Sequence, residues 1–190
     1  MGTIMTASLA AACLVLSVAS ASAQQNTFSL SSVKGQYVFQ VHGFYATAPT
    51  SNTRGDTGEI AALGLLSFDG AGHVSGTVNF TAADNNSAQA TCQGSLSSAS
   101  QYTVSATGTG GLTLSFTVAS NCVVTPIPPT EGGLIFNLIL NNNGPPPPAT
   151  SASLLLSAYF PAQSNNPSIA GQIPVSLVLT GGLRRQGSLD

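Results

Sequence analysis

Alternation of apolar and polar side chains, with a period of two residues, is the pattern that most constrains how this chain can fold. In the stretch 112–118, leucine, phenylalanine and valine occupy the even positions, and threonine and serine occupy the odd positions. A strand with this pattern has one apolar face and one polar face. Apolar residues at helical spacing do not recur. The sequence therefore predicts an all-β protein of eight or nine strands, at 36–45, 60–68, 73–80, 87–96, 101–106, 112–118, 134–140, 151–160 and 173–180.

Short segments rich in glycine and asparagine separate these strands, for example 69–72, 107–110 and 141–144. Glycine and asparagine adopt positive φ at low cost, so such segments favour β-hairpins. Strands joined by successive hairpins form an antiparallel meander, which either closes as a β-barrel or stacks as a β-sandwich. We expect a single closed β-barrel, with the sandwich as the alternative. No linker or change of composition divides residues 24–190, so we expect one domain there.

Residues 1–23 have the features of a secretory signal peptide. An apolar run over 7–19 is followed by the tripeptide Ala-Ser-Ala at 21–23, which matches the small-x-small pattern before a cleavage site. We expect cleavage after Ala23 and delivery of the mature chain to the periplasm or the exterior of the cell. The run is shorter than the roughly 18 to 20 apolar residues of a spanning helix, and no longer run follows it. We therefore expect no integral membrane span.

Two cysteines, Cys92 and Cys122, remain after the signal peptide. An oxidising compartment favours a disulfide between them, which would stabilise the fold by about 3–4 kcal/mol. Strand pairing in sequence order opposes this bridge, because the strand 101–106 would separate Cys92 from Val118 by two strand spacings, roughly 10 Å. A disulfide requires Cα atoms within about 7 Å of each other. A bridge then requires the chain after Val118 to fold back over the sheet, or strand ends that differ from those predicted.

Charged residues are scarce: the chain has four Lys and Arg and six Asp and Glu, for a formal net charge of −2. Binding to nucleic acid requires clustered basic residues, and only Arg184 and Arg185 are adjacent. General acid–base catalysis and metal binding both require several convergent ionisable groups. The sequence has no H-E-x-x-H, P-loop or G-x-S-x-G motif. We therefore expect no metal, no cofactor and no nucleic-acid partner, and we favour a protein without enzymatic activity over an enzyme.

Five residues near the end of the first strand are the candidate ligand-binding residues: His42, Tyr45, Arg54, Asp56 and Glu59. The three charged ones belong to a predicted loop of about a dozen residues, and long loops often carry function. His42 and Tyr45 belong to the preceding strand, so we expect the loop to bring all five to one end of the sheet. The alternative is an ordinary solvated loop with a weak local ion pair.

Four segments carry a resemblance to known proteins: GQYVF at 35–39, GLLSFDGAGHVSGT at 64–77, YTV at 102–104 and GGLTL at 110–114. They resemble a group of uncharacterised secreted bacterial β-rich proteins with hairpins of the FDGxGxxxGT type. More distantly, the strand order, the Gly-x-aromatic pattern of Gly35 and Tyr37 at the first strand, and the basic residues at the end of the last strand resemble calycin-type barrels, such as lipocalins and allene oxide cyclases. In that superfamily a tryptophan of the first strand packs against an arginine of the last strand where the barrel closes. The resemblance therefore implies contact between Tyr37 and either Arg184 or Arg185.

These observations together favour a secreted, non-enzymatic β-barrel that binds a small apolar molecule in its interior or has a structural role. One alternative is a cell-surface adhesin or extracellular matrix subunit, because the polar strand faces are rich in serine, threonine and asparagine. A second alternative is a barrel isomerase resembling the allene oxide cyclases. A hollow interior would favour ligand binding or isomerisation, whereas a filled interior would favour a structural role or adhesion.

Overall fold

The residues that the structure describes form nine β-strands. A computed structural model gives the positions of residues 27–47, 57–84, 89–118, 132–141, 149–160 and 174–187. A short 3₁₀ turn (Leu30–Val33) is followed by β1 (Gly35–Thr47), β2 (Thr57–Phe68), β3 (Val74–Asp84), β4 (Gln89–Leu96), β5 (Gln101–Val104), β6 (Thr109–Val118), β7 (Gly132–Asn141), β8 (Ser151–Phe160) and β9 (Pro174–Arg185). The predicted all-β class is confirmed.

The nine strands form one antiparallel sheet whose hydrogen bonds run in a ring. The strand order is β4-β3-β2-β1-β9-β8-β7-β6-β5, and β4 also pairs with β6. The ring therefore passes through eight strands, and β5 lies beside β6. A single closed sheet is formed, and not the two stacked sheets of the sandwich alternative.

β4 and β5 share one position in the ring, between β3 and β6. Residues Gly94–Leu96 of β4 pair with the C-terminal part of β6, and β5 pairs with its N-terminal part. On the other side, β3 pairs with β4, and His73 forms a bridge with Gln101 at the start of β5. Both segments are antiparallel to β6, so the turn between them does not reverse the chain. The prediction that β5 separates β4 from β6 is therefore wrong.

Ser100 fills the break between β4 and β5. Its side chain is fully buried; the hydroxyl donates to the carbonyl of Ser115 on β6 (2.8 Å) and accepts from the Ser115 N–H (2.9 Å). The N–H of Ser97 also donates to the Ser115 carbonyl (2.8 Å). The hydroxyl thus bonds both backbone groups of Ser115 at the point where neither β4 nor β5 pairs with β6.

Alternate residues of the strands point into the ring and form one core. In β1, Tyr37, Phe39 and Val41 are buried, whereas Gln40 and His42 are exposed, as the alternation predicts. Aromatic contacts join strands that are not neighbours in the ring. Ring centroids are 5.8 Å apart for Phe39 (β1) and Phe136 (β7), 4.9 Å for Phe80 (β3) and Phe116 (β6), and 5.0 Å for Phe68 (β2) and Tyr102 (β5). These contacts cross the interior.

Two inward-facing glycines allow β1 and β9 to approach each other closely. A Cβ atom at Gly43 would collide with the backbone carbonyl of Val178, and a Cβ atom at Gly181 would collide with the carbonyl of Gln40 and lie 2.7 Å from the Cα of Val41. Glycines where two backbones approach this closely allow the strands to bend, which helps a sheet to curve enough to close. Any larger residue at either position would push the two strands apart.

The 3₁₀ turn covers one end of the ring, which we call the closed end. Ser32 and Val33 are buried; the Ser32 carbonyl accepts from the N–H of Ala149 (2.8 Å), and the Tyr102 hydroxyl donates to the carbonyl of Leu30 (3.0 Å). The opposite end is called the loop end. There the strand ends are joined by residues 48–56, 85–88, 119–131 and 161–173, which lie outside the described residues.

Candidate functional site

Tyr37 and Arg185 are partners across β1 and β9, near the closed end. Tyr37 is buried, and its hydroxyl donates to the carbonyl of Ala149 (2.8 Å). Burial raises the pKa of Tyr37, and the positive charge of Arg185 lowers it in part. The guanidinium lies against the first residue of β1, because a Cβ atom at Gly35 would be 3.4 Å from its Nε and Nη2 atoms. Of the two arginines named from the resemblance, Arg185 is thus the one associated with Tyr37; stacking of the two side chains stays a prediction.

Arg184 points to the other side of the sheet. It is exposed, and its partners are Val38 on β1 and Ser151 on β8. Successive residues of a strand face opposite sides, so Arg184 and Arg185 cannot both lie beside Tyr37.

The structure separates Tyr45 from His42. His42 is exposed on the outer face of β1, whereas Tyr45 is 3% exposed and faces the interior. Its ring lies over Gly58 of β2, since a Cβ atom at Gly58 would be 2.7 Å from the Tyr45 hydroxyl. Tyr45 therefore belongs to the core near the loop end, and it is not on the same surface as His42.

Glu59 belongs to β2 and not to the predicted loop, because β2 begins at Thr57. It is exposed on the outer face, opposite Phe44 of β1. His42 lies two residues from Phe44 on the same face, so His42 and Glu59 are diagonal neighbours. Arg54 and Asp56 lie outside the described residues. The structure therefore brings His42 and Glu59 onto one surface and leaves Tyr45 inside.

Two open depressions follow this outer surface along β1 and β9. One, of about 480 Å³, is lined by Phe44, Glu59 and Val178 near the loop end. The other, of about 1170 Å³, is lined by residues that include Gln40 and His42. Both are shallow features of a sheet face that carries few charges. Large apolar side chains are exposed on the outer faces of the described strands: Phe44, Leu63, Leu65, Ile139, Leu155 and Val178.

The turn from Asp69 to His73 has a structural role. One carboxylate oxygen of Asp69 accepts from the N–H groups of Ala71 (2.7 Å), Gly72 (3.0 Å) and His73 (3.0 Å), and the other lies 3.2 Å from Nδ1 of His73. These bonds, that from Ala71 above all, hold the pKa of Asp69 below its ordinary value. Gly70 has a φ of +83°, which only glycine adopts readily. Phe68 pairs with Val74 across this turn, so the hairpin predicted at 69–72 is confirmed.

Few side chains in the described part of the chain could take part in further chemistry. No group of three or more His, Cys, Asp or Glu side chains there could hold a metal ion. Within the same residues, no helix is long and apolar enough to cross a membrane. Cys92 is nearly buried on β4; Cys122 lies outside the described residues, so the disulfide stays a prediction.

Comparison of the chain with protein-family models, with curated proteins and with solved structures finds no match.

Proposed function

We propose that this chain is a secreted, non-enzymatic protein with a structural role outside the cytoplasm. The observation that carries the proposal is the packing of aromatic side chains across the interior of the ring. An eight-stranded barrel is just wide enough either to be filled by its own side chains or to hold one small ligand. The aromatic contacts favour the first of these states.

Phe39 and Phe136 are on strands that β8 and β9 separate in the ring, yet their side chains are in contact. Phe80 and Phe116 make a similar contact across the position of β4. A pocket for a small apolar molecule needs roughly 300–1,000 Å³ of concave space. Side chains occupy the interior at the levels of these contacts, which argues against a deep ligand cavity there. The isomerase alternative depends on the same cavity and is disfavoured for the same reason.

Export is part of the proposal, and it rests on the signal-peptide pattern of residues 1–23. The likeness to secreted bacterial hairpin proteins and, more distantly, to calycin-type barrels agrees with the closed antiparallel sheet.

A disulfide between Cys92 and Cys122 is compatible with direct pairing of β4 and β6. Gly94, two residues after Cys92, pairs with Val118, and the four residue steps from Val118 to Cys122 span at most about 14 Å.

Adhesion is a second candidate, supported by the outer faces of the strands. Phe44 and Val178 are paired across β1 and β9, and each is more than half exposed. Exposed apolar side chains on a face with few charges suit contact with an apolar or carbohydrate-rich surface. An adhesin would use these faces and would not need a hollow interior.

The filled interior can be tested with a matched pair of proteins. The mature chain and its Phe136→Ala variant would be titrated with benzene and with 1-anilinonaphthalene-8-sulfonate, monitored by NMR shifts and by fluorescence. We expect the natural chain to bind neither probe inside the ring and the variant to bind benzene in the space left by the phenyl ring. Saturable binding of either probe to the natural chain, with shifts of inward-facing residues, would contradict the structural role and support ligand transport.

A further inference from the structure

A groove follows β9 on the outer face of the sheet, beside β1 and toward the closed end. It is the larger of the two depressions described above, with a volume of about 1170 Å³, and is called the β9 groove. The polar residues of its lining include Gln40, His42, Ser151, Arg184 and Gln186. The groove thus combines concave space with hydrogen-bonding side chains, as ligand sites do.

Gly182 creates this space, because it leaves an outward position of β9 without a side chain. Its partners are Gln40 on β1 and Ser153 on β8. The next residue, Leu183, is buried, so Gly182 faces outward. A Cβ atom at Gly182 would lie 2.8 Å from the carbonyl oxygen of Ala152, so a larger residue would require the backbone to shift. The bare backbone therefore leaves a depression between the side chains of the neighbouring strands.

Positive charge is concentrated at the closed end of this groove. The chain has four Lys and Arg residues, and two of them, Arg184 and Arg185, belong to the lining. Arg184 is exposed on the outer face. Of the described residues that line the groove, none is acidic; Glu59 lines the other depression, near the loop end. In a chain with a net charge of −2, the groove is a local site for an anionic group.

Uncharged hydrogen-bonding groups continue from this cation along β1. Gln40 has an amide group and His42 has two ring nitrogens, so each of them can both donate and accept. Outward residues of a strand are two positions apart, or roughly 7 Å. A guanidinium binds a carboxylate through two parallel N–H bonds. The arrangement therefore matches a ligand that carries a carboxylate and presents hydroxyl groups along its length.

The groove leads toward an exposed aromatic ring. Phe44 follows His42 on the outer face of β1, is 64% exposed, and lines the second depression. Its partner on β9 is Val178. The six residue steps from Val178 to Arg184 span about 20 Å, which is long enough for several sugar residues in a chain. The negative face of an aromatic ring attracts polarised C–H groups, such as those of a sugar ring.

We propose that the β9 groove binds a segment of an acidic polysaccharide, a polymer of sugar residues that carry carboxylates. One carboxylate would pair with Arg184, and neighbouring sugar hydroxyls would bond to Gln40 and His42. A further sugar ring would pack on Phe44. An acidic peptide would supply the carboxylate but not the hydroxyl groups. The inference goes beyond the structural role proposed above and rests on the second candidate function, adhesion, to which it gives a ligand class and a site.

NMR titration of the ¹⁵N-labelled mature chain with tetragalacturonate, near neutral pH and at physiological ionic strength, tests the proposal. The matched probe is the methyl ester of the same tetramer, which keeps its hydroxyl groups and has no charge. We expect both probes to shift the amides of Gln40, Gly182 and Arg184. The ester should bind about three- to fivefold more weakly, which is the upper range for the loss of one exposed ion pair.

Two variants that each remove one positive charge form a matched pair. Arg184→Gln should lower the affinity for tetragalacturonate by about three- to fivefold and leave the affinity for its ester unchanged. Lys34→Gln should change neither affinity. Lys34 is outside the lining of the groove, and a Cβ atom at Gly70 would lie 3.2 Å from its Cδ atom. Phe44→Ala should weaken binding of the tetramer and leave binding of the galacturonate monomer unchanged.

Four results would overturn the proposal. Shifts confined to amides outside the groove would place the tetramer on another surface. Equal affinities of Arg184→Gln and the natural chain would exclude Arg184 from the site. Tighter binding of tetraglutamate than of tetragalacturonate would assign the groove to an acidic peptide. Asp190 lies outside the described residues; if Asp190→Asn binds the tetramer more tightly by the factor expected for an ion pair, Arg184 pairs with the end of this chain.

Adhesion is measured separately, as retention of the natural chain on phenyl-coated beads, and Arg184→Gln should leave this retention unchanged. Retention without binding of tetragalacturonate would overturn the groove and keep adhesion through the apolar side chains. Binding of tetragalacturonate without retention would keep the groove and exclude adhesion to apolar surfaces.

Discussion

Tyr37 on the first strand and Arg185 at the end of the last strand are direct partners in the pairing of β1 with β9, near the closed end of the ring. Arg184, the next residue along, faces outward. This difference between adjacent arginines provides a matched pair of substitutions at the closure of the sheet.

Arg185→Gln is expected to raise the pKa of Tyr37 further, because the guanidinium charge opposes the effect of burial. It should also lower the free energy of unfolding by roughly 0.5–1 kcal/mol through loss of a cation beside an aromatic ring. Arg184→Gln should change neither quantity. Ultraviolet titration of tyrosinate and urea denaturation would measure the two effects, and equal effects of both substitutions would show that Arg185 has no special association with Tyr37.

Ser100→Ala is expected to destabilise the protein by about 1–3 kcal/mol, because the N–H and the carbonyl of Ser115 both lose their bonds to the buried hydroxyl. Ser98→Ala, in the exposed part of the same turn, should change stability by less than about 0.5 kcal/mol. Urea denaturation of the two variants gives the comparison. A negligible effect of Ser100→Ala would mean that the hydroxyl does not support the break between β4 and β5.

The Asp69 turn should make stability depend on pH in the acid range. The pKa of Asp69 is lower in the folded protein than in the unfolded chain, so the folded state binds this proton more weakly. The stabilisation is complete above the unfolded pKa, near 3.9, and is lost as the pH falls through the lower folded value. Asp69→Asn should remove this part of the pH dependence. Thermal melting between pH 2 and pH 6, about the range of carboxyl titration, would show the difference, and superimposable pH profiles would contradict it.

Reduction of the mature chain is expected to lower its stability by about 3 kcal/mol, as the loss of a loop-closing disulfide predicts. Denaturant midpoints with and without reductant measure the effect. Alkylation of the unreduced, unfolded protein should leave Cys92 and Cys122 unmodified. Modification of both thiols without prior reduction would show that the bridge does not form.

Much of the fold follows from the two-residue period of the sequence. The alternation in β1 predicts that Tyr37, Phe39 and Val41 share one face, and all three are buried, because side chains of a regular strand alternate strictly. The same rule would have separated His42 from Tyr45, since three residues along a strand is an odd offset. Their grouping came from closeness along the chain, which does not decide the face of a sheet.

Other features depend on where the pattern is interrupted. The turn 97–100 has the composition of a hairpin turn. It nevertheless leads the chain from β4 to β5 without reversing its direction, so the two strands occupy one position of the ring. Ser100 sets the register of this turn on β6. The turn contains other serines, and nothing in the sequence distinguishes Ser100 from them. The pairing of β7 with β8 skips Ser157, which forms a bulge. This bulge is hidden in the sequence as well, because β8 has an apolar run, Leu154 to Leu156, where alternation gives no register.

Native mass spectrometry of the mature protein, purified from its own host without denaturation, tests the central claim of a filled ring with a structural role most directly. The claim predicts the mass of residues 24–190, less two hydrogen atoms for the disulfide, and no further mass that is lost on denaturation. A small apolar molecule that remains bound in the native spectrum, and is released when the protein unfolds, would contradict it.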